Sequence, residues 1–535
     1  MPPGHRPADR CSNDRTTDDD DGDANRSVER GDRESTASAA LERRDVLGTG
    51  TVAVGALLGG CIGGSESSDT ASVDERHPGF RSLEREVADR SLPVEGTFPS
   101  WLEGTLLRTG PAKFEVGDRH LRHWFDGFAM LHRFAIDDGA VTYSNRFLET
   151  RAYEHATDEG ELGYREFATD PCRRIWERFF TLFSDTTTDN ANVSVATHAD
   201  RFRAMTETPM PVEFDPETLE TLGVVADGTD LGDLTTAHPH RDDGETINYV
   251  TDLSRTSEYR VFRMPDGEHE RDVFATVSRD RPAYMHSFGL TDRYVILAEF
   301  PFVVDPLEFL VRDRPFIENY EWVPDRGTRF LVIERATGAV VSTHETDAFF
   351  AFHHVNAFED GDDLVVDVVA YDDASIVEDL YLEAIRSEGY SPDGGRLDRF
   401  RLGETVARET LYEGPIELPG INYDRVNAEP YRYAYGVGNR ENPPRDVPNT
   451  LVKVDVETGA ASEWEEPGTY AGEPVFVESP DATAEDDGVI LSVVLDAAAE
   501  RSFLLVLDAG TFEELARAPA PHHIPLGFHG VFSDL

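Results

Sequence analysis

From about Glu86 to Leu535 the chain is a succession of short apolar runs, five to eight residues long, divided by turn residues. Tyr294–Phe300, Leu364–Tyr371, Val489–Leu495 and Phe503–Leu507 are each rich in β-branched, aliphatic or aromatic residues and predict strands. Ile247–Thr251 is a further short run of this kind. Apolar positions at helical spacing are confined to a few places, chiefly Arg173–Phe183 and Ile376–Ser387. One turn recurs between the strands: Asp215-Pro-Glu-Thr-Leu, Glu334-Arg-Ala-Thr-Gly, Asp455-Val-Glu-Thr-Gly and Asp508-Ala-Gly-Thr-Phe. An acidic residue opening a turn, with Gly in or closing most of them, suits a hairpin. One hairpin type repeated over about 300 residues predicts an all-β protein built by radial repetition, a β-propeller. A large sandwich is the alternative, but its hairpins would rarely share one acidic turn.

The first 85 residues break this pattern. Residues 1–40 are polar, poor in aromatics and carry an acidic run at Asp18–Asp21. Such a segment cannot bury enough apolar surface to fold, and disorder is expected. Within residues 41–64, Arg43-Arg44 precede Leu47 and a Gly/Ala/Val/Leu stretch ending at Leu58-Gly59-Gly60-Cys61. Charge ahead of a short apolar run and small residues is the build of an export signal. Paired arginines point to the twin-arginine (Tat) route, which carries folded and often cofactor-loaded proteins to the outer face of the cell membrane. Cys61 after small residues resembles a lipoprotein acylation site, and residues 65–85 follow as a Gly/Ser/Asp-bearing linker. An uncleaved anchor helix is the alternative, although the apolar run is shorter than the ~20 residues a spanning helix needs. A cytoplasmic, membrane-associated protein is the corresponding alternative location. The forty residues ahead of the arginine pair make a long leader, which leaves a later translation start open. Residues 86–535 read as one unit.

Composition narrows the function. With 39% hydrophobic and 10% aromatic residues among 535, there is ample material for a sizeable core, as several ordinary domains or one large all-β domain. Asp and Glu outnumber Lys and Arg by 104 to 50, a net charge of −54, which excludes nucleic acid as a partner because phosphate binding needs cations. The acidity is spread along the whole chain and Lys is nearly absent. That pattern fits solvation in high salt, as in a halophile, better than a docking site for basic partners. Cys11, Cys61 and Cys172 are too few and too scattered for a disulfide framework or a thiolate zinc site. Any metal must rest on histidine and carboxylate. There is no Gly-x-Gly-x-x-Gly element of the dinucleotide-binding type, so no nicotinamide or flavin is expected.

Four of the 17 histidines stand apart. His238 lies in Thr-Ala-His-Pro-His, His286 in Ala-Tyr-Met-His-Ser-Phe-Gly, His353 in Phe-Phe-Ala-Phe-His-His-Val-Asn, and His529 in Pro-Leu-Gly-Phe-His-Gly. Most stand in apolar or aromatic surroundings near a strand, where a lone imidazole needs a partner or is costly to bury. In a propeller such positions can converge on the axis from different blades, and neutral imidazole suits Fe(II). Taken singly, each reads first as a satisfied core histidine. As a set they leave metal binding and core burial both open.

Other blocks resolve this by resemblance. Gly96-Thr-Phe-Pro-Ser-Trp-Leu-Glu-Gly-Thr-Leu-Leu-Arg-Thr-Gly-Pro111, then His123-Trp-Phe-Asp126-Gly127 with Met130-Leu131, the four histidine blocks, Glu417-Leu-Pro and Glu473-Pro-Val-Phe-Val follow in order along the chain. From about Leu92 to Phe532 the chain thus resembles the carotenoid cleavage oxygenase family. Asp170-Pro-Cys-Arg-Arg-Ile-Trp-Glu-Arg-Phe-Phe-Thr-Leu-Phe, Thr188-Asp-Asn and Thr206-Glu-Thr are most similar to the animal branch, which holds carotene-cleaving enzymes and retinoid isomerases.

The resemblance implies a seven-bladed β-propeller with a helical or loop cap over the metal-bearing face, and one Fe(2+) per chain held by His238, His286, His353 and His529. It implies that Glu207, Glu417 and Glu473 orient three of these ligands, with no such carboxylate for His238. The implied reaction is addition of O2 across a conjugated double bond of a carotenoid or apocarotenoid to give two carbonyl products, with β-carotene cleaved to retinal as one instance. Alternatives are a retinoid isomerase or hydrolase on the same iron, cleavage of a stilbene-type alkene, and a metal-free propeller that acts as a binding module. Cys172–Phe183 carries Arg173, Arg174 and Arg178 among Ile175, Trp176, Phe179, Phe180, Leu182 and Phe183, a composition suited to a membrane surface. In the resembling branch such a segment belongs to a membrane-contacting patch at the tunnel mouth. An ordinary helix packed on the core is the alternative.

Overall fold

The computed structural model describes residues 77–171, 187–225, 232–254, 256–268, 270–311 and 314–535. Antiparallel sheets of mostly four strands succeed one another along the chain, seven in all, and form a seven-bladed β-propeller. Each apolar run found in the sequence is a strand: Tyr294–Glu299, Asp363–Ala370, Gly488–Asp496, Arg501–Asp508 and Glu245–Asp252. Within a blade the strands pair as consecutive hairpins. Glu245–Asp252 and Ser257–Pro265, for example, stay in register over eight pairs from Glu245↔Pro265 to Asp252↔Glu258.

The recurring acidic turn works through its first side chain. Asp215 Oδ1 accepts the N–H of Glu217 and Thr218 at 3.0 and 2.8 Å, Asp455 Oδ1 those of Glu457 and Thr458 at 3.1 Å each, and Asp508 Oδ1 that of Thr511 at 2.7 Å. The fifth residue then closes the turn at positive φ: Leu219 at 59°, Gly338 at 70°, Gly459 at 70° and Phe512 at 64°. Two of the four are not glycine and carry the left-handed penalty of about 1–2 kcal/mol. Both Leu219 and Phe512 are buried, and that apolar burial offsets the strain.

The core lies between the blades. Phe330 of the fourth blade meets Phe400 of the fifth at 5.3 Å between ring centroids, and Phe349 stacks on Phe400 at 4.6 Å. Leu106 and Phe134 of the first blade share a cluster with Leu491 and Leu504 of the seventh. The ring is closed twice. Gly530–Ser533 is added to the first blade along Gly104–Lys113, with Thr105 opposite Ser533 and Arg108 opposite Gly530. Glu95–Gly96 is added to the outer edge of the seventh blade, against Arg517 and Ala516.

Three local expectations change. Residues 77–85, read from the sequence as the end of a linker, pack on the propeller. Phe80 and Leu83 are buried, and Gly79 O accepts the N–H of Leu526 at 2.9 Å. Ile376–Ser387 is not one helix but two short ones, Ser375–Asp379 and Leu382–Ile385. Between them the backbone pairs elsewhere: Leu380 O accepts from Trp124 N at 3.1 Å and Leu382 N donates to Arg122 O at 2.9 Å. A helix not anticipated spans Arg151–Glu159, with the Thr150 hydroxyl as N-cap and Gly160 left-handed after its end. Its buried face consists of Ala152 and Ala156, too small to stand out as an apolar stripe. The other helical expectation, Arg173–Phe183, lies outside the described residues.

Candidate metal centre

The four singled-out histidines occupy breaks in, or starts of, the innermost strands of their blades. Leu234–Thr235 and His240–Asp242 both pair with the strand Glu245–Asp252, and His238 sits in the gap between them. Pro239, which has no N–H to give to a ladder, keeps that gap open. His286 precedes Gly289–Leu290, His353 precedes the strand His354–Asp360, which is bulged between His354 and Asn356, and His529 precedes Gly530–Ser533. Breaks of this kind free a side chain from the alternation of the sheet and re-aim it.

The four side chains meet. Their ligand atoms all lie within 4.8 Å of one another. His238 Nε2 and His286 Nε2 are 3.0 Å apart, and His353 Nε2 and His529 Nε2 are 3.1 Å apart. The opposite nitrogen of three rings is fixed by a carboxylate: His286 Nδ1 to Glu207 Oε1 at 2.7 Å, His353 Nδ1 to Glu417 Oε2 at 2.6 Å, and His529 Nδ1 to Glu473 Oε1 at 2.7 Å. With the proton on Nδ1, the Nε2 lone pair of each points inward. Among the described residues no carboxylate holds the His238 ring, and its backbone N–H donates to Thr236 Oγ1 at 3.0 Å. Burial, and after it the imidazoles of His529, His286 and His353, hold His238 well below the usual histidine range. His529 is also lowered, by burial, with Glu473 opposing. Burial thus favours the neutral form of His238 and His529.

The carboxylates are themselves held. Glu207 Oε1 also accepts from the Tyr284 hydroxyl at 2.7 Å, and Glu417 accepts from the Tyr371 hydroxyl at 3.0 Å and from Leu418 N–H at 2.5 Å. Burial pushes the Glu417 carboxyl up, but His353, the Leu418 N–H and the Tyr371 hydroxyl together bring it below its ordinary range. Glu473 accepts the Gly530 N–H at 2.8 Å and lies 3.6 Å from the buried Arg108 guanidinium, which also donates to Phe528 O at 2.6 Å. Sequence reasoning missed Tyr284, Tyr371 and Arg108. For Tyr284 a signal existed, because two residues before His286 in an extended chain is the same face.

Three of the histidines, His286, His353 and His529, line a cavity of about 1080 Å3. Its inner wall is aromatic: Phe125 stands 5.1 Å from Phe167, 5.0 Å from Phe528 and 6.0 Å from Phe352, between ring centroids. Leu253, Leu307 and Phe309 line it elsewhere. Such a chamber suits a long apolar molecule and keeps bulk water from the histidines. The predicted membrane-facing residues Ile175, Trp176, Phe179, Phe180 and Phe183, and the export residues Arg43, Arg44 and Cys61, lie outside the described residues.

Residues 80–534 match the family model described as "Retinal pigment epithelial membrane protein". The chain is 34% identical over 525 residues to a mitochondrial carotenoid-cleaving dioxygenase of Macaca fascicularis, covering 85% of this chain and 94% of that protein. It is 35% identical over 496 residues to a carotenoid isomerooxygenase of Galleria mellonella, covering 85% and 95%. Among solved structures, cobalt-substituted apocarotenoid oxygenase of Synechocystis superposes with a TM-score of 0.78 at 28% identity, over 87% of this chain and 99% of that one. With a family match that spans the whole propeller and relatives this similar over nearly their full length, the chain belongs to the retinal pigment epithelial membrane protein family, the carotenoid oxygenases.

Proposed function

We propose that this protein is a non-haem iron dioxygenase that cleaves a conjugated carbon–carbon double bond of a carotenoid or apocarotenoid. The observation that carries the reading is the set of four inward Nε2 atoms at the wall of an aromatic cavity. The donor set fits a metal. Two bonds of about 2.1 Å at a right angle span about 3.0 Å, the separation found between His238 and His286. His353 and His529 each give the Nδ1 proton to a carboxylate, so their Nε2 atoms, 3.1 Å apart, are both unprotonated and repel each other unless a cation lies between them. His238, His286, His353 and His529 would hold one Fe(2+), and neutral ligands leave its full positive charge to act on what binds beside it. Bound there, the iron supplies the activation of O2 that the cleavage needs.

The chain's own part is positional. Glu207, Glu417 and Glu473 fix ring orientation and tautomer, and make their histidines better donors. Phe125, Phe167, Phe352 and Phe528 seat the polyene and exclude water. No protein acid or base has to move a proton for a double bond to become two carbonyls. An isomerase reading stays alive on one observation, the isomerooxygenase name of the Galleria relative. The deciding experiment incubates iron-loaded protein with a panel of carotenes, apocarotenals and retinyl esters. Aldehyde products identified by mass, with O2 consumed, support the dioxygenase. Geometric isomers without O2 uptake support the isomerase. Less than about half an iron per chain after reconstitution would favour a binding module.

We further propose that the twin-arginine segment exports the folded, metal-loaded protein, that Cys61 is lipidated, and that the segment Cys172–Phe183 touches the membrane in which carotenoids dissolve. The strongly acidic composition suits a high-salt exterior.

A further inference from the structure

Glu166 lies in the wall of the cavity, only 3% exposed, and takes no part in fixing the histidines. Its carboxyl has two contacts: Thr188 Oγ1 donates to Oε1 at 2.9 Å, and Asn190 Nδ2 stands 3.5 Å from Oε2. Among the described residues no lysine or arginine pairs with it. The neighbouring carboxylate, Asp126, is differently served. It accepts from Ala168 N at 2.8 Å, His123 N at 3.0 Å and Thr169 Oγ1 at 2.6 Å. Two buried carboxylates that feel each other's charge do not both ionise, and the one with more donors keeps the charge. Asp126 has three donors, so the proton resides on Glu166. Burial first and Asp126 second push Glu166 well above the ordinary carboxyl range, while burial raises Asp126 only to about 6.

The surroundings say which oxygen bears that proton. Thr188 Oγ1 donates to Oε1 at 2.9 Å while accepting the Asn190 N–H at 3.1 Å, which makes Oε1 the accepting, carbonyl oxygen of the acid. Oε2 faces the Asn190 amide nitrogen, which donates to Gly127 O at 3.0 Å and to Asp126 O at 3.3 Å and is not an acceptor. A proton on Oε2 finds no acceptor there.

We propose that Glu166 is a neutral carboxylic acid whose O–H points into the cavity and donates a hydrogen bond to a carbonyl oxygen carried by the polyene. It is then a specificity-determining residue that favours an aldehyde-ended apocarotenoid over the corresponding hydrocarbon. A buried donor left without an acceptor by the hydrocarbon, and satisfied by the aldehyde, is the arrangement that gives large discrimination between otherwise similar molecules. The inference rests on the reading of the cavity as a polyene site.

The test uses the full-length, iron-loaded protein with β-carotene and a long-chain apocarotenal. In the unaltered protein, the C=O stretch of bound apocarotenal, read by Raman or difference infrared spectroscopy, is expected at a lower frequency than in hydrocarbon solvent. A stretch at the hydrocarbon-solvent value overturns the proposal without any variant. Glu166→Leu is expected to lower the ratio of kcat/KM for apocarotenal to that for β-carotene by roughly tenfold or more. It should also raise the carbonyl frequency of the bound aldehyde. Glu166→Gln, which keeps a donor at the same place, restores most of both. An unchanged ratio in Glu166→Leu overturns the proposal while leaving the functional reading intact. Failure of the unaltered protein to bind either polyene overturns both.

Discussion

Replacing Glu417 by glutamine isolates the contribution of a carboxylate to the metal centre. The amide has the same shape, so the cavity and backbone need not change, but every donor on the side chain's list is affected. His353 Nδ1 lies 2.6 Å from Oε2, Leu418 N 2.5 Å from the same oxygen and the Tyr371 hydroxyl 3.0 Å from Oε1. All three are donors, and glutamine offers one acceptor atom where glutamate offers two. If its oxygen stays toward His353 and Leu418, the NH2 opposes Tyr371. If it turns, the NH2 faces His353, whose proton must then move to Nε2 and point at the metal position. The first outcome exchanges a charge-assisted hydrogen bond for a neutral one, a loss of about 1–1.5 kcal/mol, or roughly tenfold. The second blocks a ligand. Metal affinity is therefore expected to fall ten- to hundredfold, in the range typical for such partners, and the stabilisation that bound metal gives at fixed free metal should fall by about 1.4–2.7 kcal/mol. Anaerobic titration with Fe(II) or Co(II) against a competing chelator measures the first, and melting of loaded and metal-free protein the second. Affinity within about twofold of the unaltered protein would refute the reasoning. So would an equal fall in Glu404→Gln, which changes an exposed glutamate.

Acid should destabilise the fold between about pH 6.5 and pH 3. Burial lowers His123 and His132 to about 3, so their stabilisation is complete above the unfolded value of 6.5 and lost as pH falls through about 3. The loss from these two histidines is of the order of several kcal/mol, with Asp126 and Glu166 opposing it because burial raises both, and urea midpoints at pH 7 and pH 4 for the unaltered protein and for Glu166→Leu, which removes one opposing group, would show it. Gly338→Ala should cost several kcal/mol by denaturant titration, since the residue sits at φ 70° and a Cβ there would lie 1.8 Å from Phe274 O. A cost under about 0.5 kcal/mol would mean that the two hairpins slide freely. Replacing Phe179, Phe180 and Phe183 together by Ser should weaken vesicle association by more than about tenfold, at ~1.5–3 kcal/mol of apolar burial per ring, while sparing turnover of detergent-solubilised substrate. Equal loss of both would remove the membrane role. Replacing Arg43-Arg44 by Lys-Lys should trap the protein in the cytoplasm, and undiminished export would discard the twin-arginine reading.

Local signals in the sequence predicted the architecture well because each acted locally. Asp215, Asp455 and Asp508 cap their own turns, and the strand runs carry their own apolar content. The double closure was invisible, because Glu95–Gly96 and Gly530–Ser533 are too short and too mixed to look like strands until their distant partners are known. The break at Leu380–Leu382 was hidden for the same reason, since its cause is a backbone contact with residues 122–124. The histidines stood out by their apolar surroundings, but their role and the three glutamates came from block resemblance, which carries identity but not geometry. Tyr284, Tyr371 and Arg108 act only through those glutamates, and Glu166 only through a cavity assembled from most of the ring, so no spacing announces them.

The closing strand has a consequence for the order of assembly. His529 reaches the centre only when Gly530–Ser533 has zipped onto the first blade, a contact that also sets Arg108 against Phe528 O across 420 residues of sequence. Pairings this distant are entropically expensive and form late. A chain whose ring is still open therefore offers three ligands, not four, and holds metal poorly. Metal uptake and ring closure would then be one linked event, so the proposed iron would serve as a latch on the topology as well as a reagent. If the protein is exported as proposed, a chain latched in this way would lose its metal on being threaded through a pore as an extended chain, and only a path for folded cargo would deliver it ready to work.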